Sequence, residues 1–60
     1  MINKIVDELI KINSSNKSLR NLILPMIDKK DEIKVMYEIT TILANKGYYI
    51  ESIDPFKLKK

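Results

Sequence analysis

Hydrophobic residues near the start of the chain recur at helical spacing. With residues placed about 100° apart on a wheel, Ile2, Ile5, Val6, Leu9, Ile10 and Ile12 fall in one continuous arc. Asn3, Lys4, Asp7, Glu8 and Lys11 fill the opposite side. The pattern predicts an amphipathic surface helix over Ile2–Ile12 with one buried face. It ends at Asn13-Ser14-Ser15-Asn16, whose short polar side chains compete for backbone hydrogen bonds.

A second apolar series, Leu19, Leu22, Ile23 and Met26, follows Ser18, which suits an N-cap. Pro25 interrupts it. Proline has no N–H to return to the carbonyl of Asn21, and it disfavours helical geometry at Leu24. The helix is therefore expected either to end near Leu24 or to kink and continue for one turn from Pro25 to Asp28.

The third series is the strongest. Asp28, Asp31 and Glu32 put negative charge at a helix start, with Asp28 or Asp31 as N-cap, and Gly47 after Lys46 marks the end. Between them Ile33, Val35, Met36, Tyr37, Ile39, Ile42, Leu43 and Ala44 cover well over half the wheel, leaving Lys34, Glu38, Thr41 and Asn45 as a polar strip. So wide an arc predicts a helix central to a core, or one buried between its own domain and a partner.

After Gly47 the period changes. Tyr48–Ile53 has β-branched and aromatic residues in partial alternation and predicts a short extended segment. Tyr48 and Tyr49 then point to opposite faces and cannot both join the core. Asp54-Pro55 predicts a turn, and Phe56–Lys60 a second short strand or a loose tail. The fold expected is mainly α: a compact three-helix bundle with a C-terminal extended segment or hairpin. It forms a single domain over residues 1–56, with residues 57–60 as a basic tail.

Charge changes the functional picture. Residues 1–56 hold eight bases and eight acids, so Lys57, Lys59 and Lys60 supply the whole net charge of +3. The body is neutral. A phosphate-binding protein usually carries a basic stripe across its body.

Composition excludes most chemistry. Histidine and cysteine are absent, which removes the common nucleophile–base pairs, disulfides and the usual zinc ligands. A single glycine excludes a Gly-rich phosphate loop. Asp28, Asp31 and Glu32 read as helix-start acids rather than metal ligands. The expectation is a protein that is not an enzyme and takes no cofactor. The longest apolar run, Leu22–Ile27, is broken by Pro25 and far shorter than the roughly 20 residues of a membrane span. The N-terminal stretch lacks a secretory signal's apolar segment. A cytoplasmic location is expected.

Eleven Ile, six Leu, two Val and three Met in 60 residues exceed what so small a body readily covers. Surplus apolar surface marks protein interfaces. The sequence therefore suggests an interaction module, an accessory subunit or modulator docking on a larger protein, with a polymerase or other nucleic-acid-processing host, or as a homodimer. Its expected protein contacts are the spare face of the third helix with Tyr48, Tyr49, Phe56 and Leu58. Phe56 and Leu58 stand in an apolar–basic alternation able to add a strand to a partner's sheet. Lys57, Lys59 and Lys60 are the expected phosphate contacts. The alternative is a winged helix-turn-helix DNA binder, with Ser18–Leu24 as its first helix, Asp31–Lys46 as recognition helix and residues 48–60 as wing.

Overall fold

The computed structural model describes residues 2–60. Three helices, α1 (Ile2–Ile12), α2 (Leu19–Ile23) and α3 (Glu32–Asn45), precede a hairpin of β1 (Tyr49–Ile53) and β2 (Phe56–Lys59). The chain is mainly helical, with a radius of gyration of 10.3 Å.

α1 begins and ends where the hydrophobic arc does, and buries Ile5, Val6 and Leu9. Asn13 ends it by taking a left-handed conformation (φ 65°), which Asn tolerates better than other non-glycine residues. The Ser18 side chain accepts a hydrogen bond from the Asn21 N–H (3.2 Å), capping α2. Pro25 then tightens the chain into a 3-10 turn over Leu24–Met26. Leu24 keeps right-handed helical geometry despite the proline after it. A second 3-10 turn, Lys29–Asp31, leads into α3. Asp31 occupies the N-cap position, but neither it nor Asp28 makes a side-chain capping bond. Arg20 Nε instead reaches Glu32 Oε2 at 2.7 Å and ties α2 to the first turn of α3.

The end of α3 is a Schellman motif. The Gly47 N–H donates to the Ala44 carbonyl (3.0 Å) and the Tyr48 N–H to the Leu43 carbonyl (2.8 Å). Gly47 has the φ of +90° that this reversal requires. Tyr48 packs half-buried against the core that contains Leu43.

β1 and β2 pair antiparallel, with Tyr49 opposite Lys59, Ile50 opposite Leu58, Ser52 opposite Lys57 and Ile53 opposite Phe56. The register shifts between Ile50 and Ser52, so Glu51 is the extra residue of a β-bulge. The connecting Asp54–Pro55 peptide is cis. The other edge of β2 is also occupied. Leu58 N–H donates to the Asn13 carbonyl (2.8 Å), Ser15 N–H to the Phe56 carbonyl (2.9 Å) and Phe56 N–H to the Lys17 carbonyl (2.9 Å), while Ser14 bridges Lys57. β2 is thus hydrogen-bonded along both edges, to β1 on one side and to the loop Asn13–Lys17 on the other.

Three expectations change here. Of the second strand and the tail expected at Phe56–Lys60, the strand forms: residues 57–59 lie in β2, hydrogen-bonded on both sides, and are continuous with the body rather than a separate basic tail. Phe56 and Leu58 are core residues, Phe56 being the largest side chain fully buried. α3 gives the core fewer residues than its arc suggests. Only Ile39 and Leu43 are fully buried, joined by the α1 set, Leu19 and Ile23 of α2, and the two β2 residues. No polar or charged side chain is buried among the described residues.

Candidate interaction surface

The side of α3 turned away from the core carries Ile33, Tyr37, Thr40 and Ala44, all exposed. Their spacing of four, three and four residues puts them on one stripe along the helix. Ile33 is 86% exposed and Tyr37 75% exposed, the two most exposed large apolar side chains described. None of the four is charged. The Thr40 hydroxyl donates to the Met36 carbonyl (2.9 Å) and the Thr41 hydroxyl to the Tyr37 carbonyl (3.1 Å). With its hydroxyl satisfied by the helix itself, Thr40 has its methyl left to offer a neighbour. Lys34, Thr41 and Asn45 run alongside as the polar strip, and Glu38 is only half-exposed.

A shallow open groove lies on the opposite flank of α3, lined by Ile2, Ile5, Ile27 and Val35 and rimmed by Asp31, Lys34 and Glu38. Its rim mixes both signs of charge. Among the described residues, no group of three or more acids stands close enough to hold a metal ion.

The hairpin presents a second surface. Burial alternates strictly along β2, with Phe56 and Leu58 inward and Lys57 and Lys59 outward. Tyr49, 60% exposed, stands opposite Lys59 on the outer face, and Lys57 lies between Ser52 and Ser14. Lys60 follows, also exposed. The lysines at 57 and 59 are therefore held on a strand rather than carried on a loose end.

Of the residues that the sequence marks for protein contact, Tyr49 is at the surface, Tyr48 is half-buried, and Phe56 and Leu58 are inside. The strand-addition role for Phe56 and Leu58 fails for a physical reason. Strand addition needs a free edge, and both edges of β2 are already paired. Ile33 and Tyr37 are the residues the sequence reading did not single out. Their signal was present in the width of the α3 arc, too broad for one set of neighbours to cover.

No helix among the described residues is long and apolar enough to cross a membrane. Comparison with known proteins returns no matching family model, no matching curated relative and no matching solved structure.

Proposed function

We propose that this chain, a small helical bundle closed by a hairpin, is a non-enzymatic interaction module: an accessory subunit or modulator that docks on a larger protein through the outward face of α3. One observation carries the reading, the exposure of Ile33 and Tyr37 on a single uncharged helix face. Burying such a face gains about 25 cal/mol per Å² of apolar surface. An aromatic anchor beside an aliphatic one is the usual composition of an interface centre. A host that handles nucleic acid suits the second surface, where Lys57, Lys59 and Lys60 would reach nearby phosphate while the neutral body stays on protein.

The test is affinity capture from native extract at high salt, with the retained protein identified by mass spectrometry. Apolar contacts survive screening that removes surface charge attraction. A specific host should be retained by the wild type and by a Lys57→Gln/Lys59→Gln/Lys60→Gln variant, and lost with Ile33→Ser/Tyr37→Ser. Equal retention by the stripe variant, or no host at all, overturns the reading.

A winged helix-turn-helix DNA binder is the second reading. The observation favouring it is the order of three helices followed by a hairpin, with the loop Asn13–Lys17 hydrogen-bonded to β2. α2 and α3 would form the DNA-reading pair and the hairpin lysines would contact phosphate. Against it, α3 turns Ile33, Tyr37, Thr40 and Ala44 outward, with no arginine for guanine. Arg20, the chain's sole arginine, is engaged by Glu32. A duplex mobility shift at low salt that weakens steeply as salt rises would favour this reading.

A further inference from the structure

We propose that, without a host, the outward face of α3 is covered by the same face of a second copy, the two helices antiparallel about a twofold axis. This rests on reading that face as a contact surface, and adds its resting occupant.

The first argument is spacing. Positions 33, 37, 40 and 44 follow the four–three–four pattern of a coiled-coil seam, which lets side chains of one helix enter the gaps of another. The second is taper. The large residues, Ile33 and Tyr37, occupy the N-terminal half of the stripe, and the small ones, Thr40 and Ala44, the C-terminal half. An antiparallel pair sets Ile33 against Ala44 of the second copy and Tyr37 against Thr40. Both pairings share one centre, between Glu38 and Ile39, as a twofold contact requires. A parallel pair would press the two Tyr37 rings together and leave gaps beside Thr40 and Ala44, forfeiting close packing.

Electrostatics agrees. The stripe holds no charge, and antiparallel helices set their dipoles in opposition. At a rise of 1.5 Å per residue, the two Lys34 residues would stand about 13 Å apart along the axis. That exceeds the Debye length of about 8 Å at physiological salt. A parallel pair would bring them side by side. The contact is limited to one 14-residue helix per copy. It is therefore smaller than standard stable interfaces, and the dimer is weak. Weakness fits the role, because a host that needs the same face must displace the second copy.

Sedimentation equilibrium from about 10 µM to 1 mM reads this directly, the range being that of a weak interface. Wild type should pass from monomer to dimer and do so equally at high salt. Tyr37→Glu should stay monomeric with an unchanged circular dichroism spectrum, since the side chain is exposed. Orientation is read by crosslinking, because the chain has no cysteine of its own. A mixture of Ile33→Cys and Ala44→Cys proteins should form the mixed disulfide under mild oxidation, and neither alone should crosslink comparably. In the antiparallel pair, like positions lie beyond the roughly 7 Å Cα separation that a disulfide spans.

A wild type still monomeric at the top of the range, a dimer indifferent to Tyr37→Glu, or crosslinking of either variant alone as efficient as the mixture overturns the proposal. A monomeric wild type that still retains a host through the stripe ends the self-association and leaves host docking standing. A stripe-dependent dimer with no host does the reverse.

Discussion

Gly47 combines a φ of +90° with open space, nothing lying within 4 Å of where a Cβ would sit. Its requirement is therefore conformational and not steric. Gly47→Ala should cost about 1–2 kcal/mol, the penalty of left-handed backbone in an L-residue, and Gly47→Asn less. Urea denaturation midpoints measure both. Phe56 is the opposite case, held by what surrounds it. Phe56→Ala should cost about 3–5 kcal/mol, comparable with the whole stability of a domain of this size. The expected result is loss of a cooperative thermal transition; a Phe56 acting only as a surface anchor would leave the melt unchanged. The difference between these residues is one of legibility. Gly47 is readable because its role depends on backbone geometry within a few positions. Phe56 is not, because Phe-Lys-Leu-Lys marks an apolar face without saying whether the chain's own core or a partner covers it.

At the scale of elements, α1 was fully legible and α2 nearly so. Both are set by periodicity and by local terminators, the Asn-Ser run after α1 and Pro25 after α2. β1 explains its own imperfect alternation. Glu51 and Ser52 are adjacent polar residues because a bulge there inserts one extra position, after which Ile53 returns to the side of Phe56. The bulge also disturbs the open edge of β1, which discourages further strand pairing. For Phe56–Lys60 the sequence allowed a second strand or a tail, the structure forms the strand β2, and the consequence is testable. Deleting residues 57–60 removes Leu58 from the core and the bond from its N–H to the Asn13 carbonyl. The truncated protein should not fold, as judged by circular dichroism and proteolysis. Lys57→Gln/Lys59→Gln/Lys60→Gln should melt within a few degrees of wild type, since these side chains are exposed. Any loss of phosphate contact must therefore be sought in the substituted protein rather than the shortened one.

For the whole molecule, α1, α2, α3 and β2 each supply fully buried side chains to one core, with principal extents of 29 × 24 × 16 Å. A body this small has few neighbours to set around its longest helix, and part of α3 stays bare. The bare part is not random. It carries the exposed side chains of Ile33 and Tyr37 on one uncharged stripe, and it is the face for which the proposed host docking and the proposed self-association would compete. The hairpin's exposed lysines form a separate, cationic surface, so ionic strength would distinguish a phosphate contact there from the proposed apolar contact on α3.

The chain alone determined its helices, their ends and the concentration of net charge at the C-terminus. These follow from interactions spanning five residues or fewer, or from simple counting. The tertiary structure decided that the apolar side of β2 packs on the chain's own core, with β2 hydrogen-bonded to a segment some forty residues earlier in the chain. It also decided which part of the α3 arc is left uncovered. Both depend on where distant segments come to rest, and no local pattern encodes that position.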